Sequence, residues 1–363
     1  MRQPLREIGV IPAIGILILV FRHVASRPDF MVEFANRTGS GALMDLPILP
    51  EADDRPHTPD ADDPLWQESS LFVWHDAEAG LGGFWRLGQE PTVGALNSCF
   101  GLFTHDGVRF RSNLTGAPMA ASDRGEGHMG CGPHLRVDFD GEARIKADFD
   151  DCQAALRFTD FHPRYDYMAM TGMRGQLGGA PHHIEVSGRM TGVVVLGGRE
   201  IEIDALGYRD RSWGRRDWST GRGTRWWPCV FGPDLALHVM HLVRPPGEVL
   251  KMGYVRRGAQ IIPVVESDVV VGLESDGLTP RTGEARLGLE NGETLRVTCG
   301  RIDGVVLHVR GYTAVETIGV ARLDDGRAGM SNLEVCTNPS GGVNPPIITI
   351  GSNNGEGLSR RPD

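Results

Sequence analysis

None of the short motifs that mark the common catalytic folds occurs in this chain of 363 residues. It contains no P-loop, no GxGxxG after a predicted strand, and neither an HExxH nor a GxSxG element. The six cysteines are scattered without a CxxC pair, and the twelve histidines show no metal-ligand spacing. Such cysteines are typical of reduced, buried thiols rather than of a disulfide framework or a zinc site. We therefore expect neither a metal nor a cofactor.

Basic residues are in the minority, because 37 Lys and Arg stand against 47 Asp and Glu. The resulting formal net charge of −10 argues against nucleic acid or an anionic membrane surface as a partner. The chain also offers no convincing long helical period of apolar residues. Its partner is more simply expected to be a small molecule.

One apolar segment, residues 8–21, leaves three interpretations open. It is shorter than the roughly 20 residues of a membrane-spanning helix, and Pro12 interrupts it, so we expect no stable membrane span. Its length and flanking arginines fit a signal peptide, but the residues after it lack the small-x-small cleavage pattern. A third interpretation places the true start at Met31. We predict a cytoplasmic protein, although this segment leaves export or membrane association open.

Tight-turn signals are abundant and separate short runs in which apolar and polar residues alternate. The clearest lies at Asp140-Gly141, between Leu135 and Phe149, where both flanking runs alternate. Similar pairs are Asp106-Gly107, Gly197-Gly198, Asn291-Gly292 and Asp325-Gly326. Many short antiparallel strands joined by tight turns predict an all-β sandwich or barrel.

The length of the chain predicts two β units rather than one. We expect an N-terminal extension and an irregular arm rich in Pro and Asp at 1–64. A first β domain follows at 65–206 and a second at 207–339, with an irregular tail at 340–363. A site at the junction of two such units is a common ligand location.

The stretch Gly207–Trp227 stands out because it concentrates tryptophan, arginine and aspartate. Flat aromatic side chains line apolar pockets, and arginine both stacks on indole rings and binds carboxylates. We predict a ligand or active site here, and the alternative is a structural polar corner packed under tryptophans. The candidate catalytic residues are Asp210, Asp217 and Arg216. The candidate ligand-binding residues in the stretch are Arg211, Trp213, Trp218, Trp226 and Trp227.

A further candidate for proton transfer is His238. Strand alternation places His238 on one face with Ala236 and Met240, while Leu237 and Val239 face the other way. A buried histidine among apolar residues is either a satisfied core residue or a ligand and proton-transfer group.

The central stretch resembles a known signature, G-x-R-D-H-S-W-G-x-R-D-W, found in the superfamily of carotenoid 1,2-hydratases, kievitone hydratase and AttH-like proteins. Here it runs from Gly207 to Trp218, and Leu81-Gly82-Gly83 and the segment from Gly326 to Glu334 are similar to other landmarks of that superfamily. The resemblance implies two packed lipocalin-like antiparallel β-barrel domains and adds Glu334 to the candidate ligand-binding residues. One position departs from the signature, since its histidine is Arg211 here.

The resemblance implies a hydro-lyase or isomerase that acts on a hydrophobic substrate of isoprenoid or polyketide type. Combined with the aromatic cluster, it predicts a cofactor-independent enzyme for a terpenoid-like or aromatic small molecule. The alternative is a non-catalytic carrier or sensor of such ligands. An acid–base pair in the pocket would favour the enzyme, and a wholly apolar lining would favour the carrier.

Overall fold

The computed structural model describes residues 46, 48–167, 181–218, 220–244, 247–338 and 356–361. Nearly all regular structure among them is β-strand, and the helices are single 3-10 turns at Glu51–Asp54 and Ala121–Asp123. This confirms the predicted all-β class. No helix in the described part of the chain is long and apolar enough to cross a membrane. The apolar segment 8–21 and both candidate start residues lie outside the described residues.

Eleven consecutive strands build the first sheet, which curls around an apolar core. They are β1 (Trp66–Asp76), β2 (Leu81–Glu90), β3 (Ala95–Thr104), β4 (Val108–Pro118), β5 (Arg124–Gly125), β6 (His128–Cys131), β7 (Leu135–Asp140), β8 (Glu142–Phe149), β9 (Cys152–Asp160), β10 (His182–Leu196) and β11 (Arg199–Arg215). Consecutive strands pair along β1–β4 and along β5–β11, and β11 pairs with β1. Strands β1 and β11 therefore lie side by side near the centre of the sheet.

Eight further strands close into an antiparallel barrel, in which β12 pairs with β19. They are β12 (Gly223–Gly232), β13 (Leu235–Arg244), β14 (Glu248–Arg257), β15 (Gln260–Leu273), β16 (Pro280–Leu289), β17 (Thr294–Val309), β18 (Tyr312–Leu323) and β19 (Ala328–Thr337). Of the two predicted barrels, this one is closed, whereas the first sheet is an open, curled one.

The strand that carries the signature residues belongs to the first sheet. The boundary predicted between residues 206 and 207 falls inside β11, and the barrel begins only at Gly223. A further strand, β20 (Gly357–Arg360), lies in the segment predicted as an irregular tail and pairs with β4 at the sheet edge. Residues 339–355 lie outside the described residues.

The predicted tight turns all join neighbouring strands, as the alternation around them indicated. Gly141 has a φ of +75° between β7 and β8, and Gly292 has a φ of +86° between β16 and β17. Glycine adopts this left-handed region without the steric penalty that a side chain brings. The two glycines at 197 and 198 both have positive φ, which suits the turn between β10 and β11.

Two apolar clusters decide where a ligand could bind. The interior of the closed barrel is filled by side chains such as Trp227, Leu237 and Leu287, all buried. A second cluster lies between the outer wall of the barrel and the first sheet. The two layers approach closely, since a Cβ added at Gly82 of β2 would lie 2.7 Å from Ile318 of β18. The candidate site is a gap in this interface.

Candidate active site

A cavity opens between the first sheet and the outer wall of the barrel. Its walls enclose about 700 Å³ of empty space, part of which is open to solvent. Apolar walls come mainly from Leu71, Trp218, Trp226, Met240, Leu307, Val309, Tyr312 and Ala314. Charged side chains reach it from both layers: Arg86, His183, Asp210 and Arg216 from one, and Glu316 and Glu334 from the other. Apolar walls with a few convergent charged groups are typical of a small-molecule site.

Strand alternation sorts the signature residues onto two faces of β11. Tyr208 and Asp210 face the barrel, whereas Arg209, Arg211 and Trp213 face away from it. Successive side chains of a strand point to opposite faces, so a dense motif on one strand cannot serve one pocket alone. Asp210 is thus the only residue of β11 on the cavity wall within the described chain.

Arg211 and Trp213 secure the N-terminal arm and do not line the cavity. The fully buried guanidinium of Arg211 donates to the backbone carbonyls of Asp54, Arg55 and Ser69, and its Nη2 lies 2.5 Å from Glu68 Oε1. The Trp213 ring stacks on the arm residue His57 at 4.0 Å between centroids. These contacts match the structural alternative that the sequence left open.

The predicted tryptophans on β12 also separate. Trp226 lies on the cavity wall, whereas Trp227 points into the barrel interior, where its Nε1 donates to Ser331 Oγ at 2.8 Å. After β11 ends, Arg216 and Trp218 both reach the cavity, but Asp217 is not among its lining residues. Of the predicted set, Asp210, Arg216, Trp218, Trp226 and Glu334 therefore meet at one cavity.

His183 on β10 is the closest charged neighbour of Asp210. Its Nε2 lies 2.6 Å from Asp210 Oδ2 and 3.6 Å from Glu185 Oε1. Burial alone would lower the pKa of His183, but the carboxylates of Asp210 and Glu185 outweigh it and raise that pKa. Burial would raise the pKa of Asp210, and His183, Arg216 and Arg86 lower it instead. The two side chains form an ion pair on the cavity wall.

Glu185 lies behind this pair and is fully buried. Tyr208 donates to its Oε2 at 2.7 Å and Trp226 Nε1 to its Oε1 at 2.9 Å. Burial raises the pKa of Glu185 to about 7, although His183, Tyr208 and Trp226 act against that rise. Glu185 therefore changes its charge near neutral pH, directly beside His183.

His238 lies one layer further from the cavity, in contact with four aromatic rings, those of Tyr167, Tyr208, Trp226 and Tyr254. Its Nε2 is 3.5 Å from Glu185 Oε2, and neither ring nitrogen makes a hydrogen bond with a described residue. Burial and the nearby His183 lower the pKa of His238 to about 3, so it is neutral at physiological pH. It contacts the acid–base network without lining the cavity.

Glu316 and Glu334 form a carboxyl pair on the barrel side. They lie directly opposite each other on β18 and β19, Asn332 donates to Glu316 Oε2 at 3.1 Å, and Thr224 donates to Glu334 Oε1 at 3.0 Å. Burial, with the adjacent Glu334 carboxyl, raises the pKa of Glu316 well above its ordinary value. Burial and the neighbouring carboxyl therefore both favour the protonated form of Glu316.

The His183, Glu185 and Asp210 side chains offer ligand atoms that lie within 4.8 Å of one another, a spacing that could hold a metal ion. However, both oxygens of Glu185 already accept hydrogen bonds, and Asp210 Oδ2 is bonded to His183. A metal would have to replace these bonds. As it stands, the cluster is organised as a hydrogen-bonded proton network.

The sequence itself matches one described family over most of its length. The profile of a domain of unknown function, DUF7064, matches residues 50–339. The chain belongs to the DUF7064 family. No curated protein sequence matches it. The matched span covers the first sheet, the cavity and the closed barrel, so the site described above lies inside this domain.

Solved structures share the fold of this DUF7064 chain at low sequence identity. An AttH-like protein from Nitrosomonas europaea superposes with a TM-score of 0.57 and 13% identity, over 84% of this chain and 98% of its own. Kievitone hydratase from Nectria haematococca gives 0.53 and 8% over 82% and 95%, and CghA with Sch210972 gives 0.52 and 12% over 84% and 98%. The predicted resemblance is thus confirmed at the level of the fold, which a hydratase also has.

Sequence reasoning missed Arg86, His183, Glu185 and Glu316. Arg86 and Glu316 interrupt the apolar middle of their strands, LGGFWRLGQE and YTAVETIGVARL, in which the other charged residue lies at or next to the end of the strand. A charged side chain in such a run is rarely buried without a purpose, so the interruption itself was a usable signal. No pattern along the chain, however, predicts that the two residues meet.

Proposed function

We propose that this protein is an enzyme that transfers protons to and from a hydrophobic small molecule, as a hydro-lyase or an isomerase. The observation that carries the proposal is the pairing of opposite acid–base characters in one cavity. Burial and Glu334 raise the pKa of Glu316, whereas His183, Arg216 and Arg86 lower the pKa of Asp210. Environments that push the pKa values of two carboxyl groups apart are the usual sign of an acid and a base.

In the proposed hydration, Glu316 gives its proton to an alkene carbon of the bound molecule. The positive charge that develops on the neighbouring carbon is stabilised by the rings of Trp226 and Tyr312, since aromatic rings attract cations. A water molecule adds to that carbon and loses a proton to Asp210. In an isomerisation, Asp210 removes a proton from the substrate instead, and the double bond moves.

The residues that line the cavity also help to decide between an enzyme and a non-catalytic carrier. A carrier of apolar ligands needs no charged groups in its pocket, because burying them costs free energy. Here three basic and three carboxylic side chains reach the cavity wall. These charges favour the enzyme. The fold shared with kievitone hydratase agrees with hydro-lyase chemistry, although its residues are not carried over to this chain.

The experiment is an isotope screen that works with an unidentified substrate. Purified protein is incubated with a small-molecule extract in D₂O and, separately, in H₂¹⁸O, and mass spectrometry finds compounds that gain label. A hydratase adds one carbon-bound deuterium in D₂O and one ¹⁸O in H₂¹⁸O, an isomerase adds deuterium alone, and a carrier adds neither. Glu316→Gln should abolish the labelling. Label gained equally with the wild type and Glu316→Gln would contradict the proposed acid.

A further inference from the structure

Arg86 on β2 is a buried cation at the cavity wall whose Nη atoms lack hydrogen-bond acceptors. The residue is only 6% exposed, and neither Nη1 nor Nη2 makes a hydrogen bond with a described residue. Burial lowers the pKa of Arg86, but a guanidinium stays protonated in proteins. A buried charge with unsatisfied donors is costly, and native structures rarely keep one without a purpose.

Nearby carboxyl groups act on Arg86 through their charge but accept no hydrogen bond from its Nη atoms. Asp210, Glu316 and Glu334 act to raise the pKa of Arg86, yet neither Nη1 nor Nη2 has an acceptor among the described residues. Arg216, the other guanidinium at the cavity, has its Cζ 3.8 Å from the Trp218 ring centre, and Arg86 has its Cζ 5.7 Å from the same ring. Both cations therefore border the same indole ring, and Arg86 keeps unsatisfied donors at the cavity wall.

Acidic and basic side chains are mixed on the cavity wall, with Arg86, Arg216 and His183 beside Asp210 and the carboxyl pair of the barrel. His183 is already bonded to Asp210, at 2.6 Å. Arg86 is the basic group there whose Nη atoms lack an acceptor among the described residues. A carboxylate on the ligand would be the strongest acceptor for such a guanidinium.

From the unsatisfied donors of Arg86 and the apolar walls, we infer that the ligand is an apolar molecule ending in a carboxylate, which Arg86 binds through Nη1 and Nη2. The planar guanidinium matches a carboxylate with two parallel hydrogen bonds. The apolar remainder lies against Trp218, Trp226 and Leu307, toward the acid–base groups. This inference deepens the proposed function by naming its substrate class, and it concerns binding rather than turnover.

The test compares two probes that differ only in charge, 6-phenylhexanoate and 6-phenylhexanamide, by titration calorimetry on the full chain. Wild type should bind the carboxylate about 10- to 100-fold more tightly, as expected for a pair of charge-assisted hydrogen bonds. Arg86→Met should lose this preference, bind the amide as before, and melt at or above the wild-type temperature because an unpaired buried charge is removed. Arg86→Lys keeps the charge without the planar guanidinium and should show an intermediate preference.

Several results would overturn the inference. Equal affinity of wild type for the two probes would do so, as would failure of the carboxylate to bind at all. An Arg86→Met protein that melts normally and still prefers the carboxylate over the amide as strongly as wild type would also contradict the inference. If Arg86→Met does not fold, Arg86→Lys provides the test. An Arg86→Lys protein that prefers the carboxylate over the amide as strongly as wild type would contradict binding through two parallel guanidinium hydrogen bonds. Glu316→Gln should still prefer the carboxylate probe over the amide, even if it loses all turnover. The binding measurement can therefore fail or succeed independently of the proposed chemistry.

Discussion

Glu316 and Glu334 are opposite neighbours on β18 and β19, and both reach the cavity from the outer wall of the barrel. Two carboxyl groups in such a place cannot both ionise without strong repulsion, so one of them keeps its proton. Glu316 is the more buried member, at 1% exposed, so the shared environment favours the proton on Glu316. In the proposed mechanism the barrel contributes this acid, and the first sheet contributes the base.

Replacing Glu316 by Gln is expected to reduce the rate of turnover by roughly 10²–10⁴-fold, because the amide has the same shape but no proton to give. The melting temperature should not fall, since a neutral group replaces a neutral group. Glu293→Gln, on the exposed turn before β17, is the matched control and should leave both values unchanged. Steady-state kinetics with the labelled substrate, beside thermal melts, measure both. A fully active Glu316→Gln protein would remove Glu316 from the mechanism.

Asp210→Asn tests the ion pair with His183. Without the carboxylate, burial dominates, so the pKa of His183 should fall below its ordinary value of 6.5 instead of lying above it. NMR titration of the His183 ring, assigned by comparison with a His183→Gln spectrum, measures this. The expectation fails if the ring titrates at the same pH in the wild type and in the mutant.

The same substitution has a predicted dependence of stability on pH. The lowered pKa of Asp210 stabilises the fold above 3.8, and the raised pKa of His183 stabilises it below 6.5 and ceases to do so as the pH rises through its folded value. The difference in melting temperature between the wild type and Asp210→Asn should therefore be greatest between pH 3.8 and 6.5. A difference that does not vary from acid to alkaline pH would mean that the two groups do not pair.

Trp226→Phe and Trp213→Phe form a matched pair of substitutions. Trp226 lines the cavity, so its replacement should weaken binding of the carboxylate probe by up to about tenfold, because part of the apolar surface that packs against the probe is lost. Trp213 stacks on His57 outside the cavity, so its replacement should cost about 1–3 kcal/mol of stability and leave the affinity unchanged. Calorimetry and denaturant unfolding separate the two effects. The reverse pattern would move the ligand site to the arm.

Acid should release the N-terminal arm through Glu68. Burial would raise the pKa of Glu68, but Arg211, His57 and Arg124 lower it to about 2. A carboxyl group with a lowered pKa stabilises the fold above its unfolded value of 4.5, and this stability is lost as the pH falls from 4.5 toward 2. The loss is on the order of 3 kcal/mol, read from denaturant unfolding. Glu68→Gln should flatten the decline, and an unchanged slope would contradict the assignment.

Local chemistry was enough to predict the fold class. Asp140-Gly141 and Asn291-Gly292 specify tight turns by themselves, because a glycine at positive φ is needed there and the flanking alternation fixes the pairing. The closure of the barrel, by contrast, depends on β12 meeting β19, which are distant in the sequence. The return of β11 to β1 is equally non-local, and this is why the boundary at 206/207 fell inside a strand.

The signature drew the site prediction to the right strand but not to one face of it. Period-two alternation along β11 is sufficient by itself to place Asp210 and Arg211 on opposite faces, and so to separate the cavity residue from the arm residue. Strand alternation does not predict that Arg86 and Glu316 share a cavity, because β2 and β18 meet only where the barrel packs on the sheet. Their burial is a property of that packing rather than of either strand.

The proposed mechanism depends most directly on Glu316 holding a proton inside the cavity at neutral pH, and infrared difference spectroscopy measures this without a substrate. The wild type should show the C=O stretching band of a protonated carboxylic acid near neutral pH. Because Glu185 also titrates there, spectra of Glu316→Gln and Glu185→Gln are recorded separately. We expect a protonated carboxyl band to disappear in Glu316→Gln and to persist in Glu185→Gln. A Glu316→Gln spectrum that retains every such band of the wild type would contradict the assignment of Glu316 as the acid.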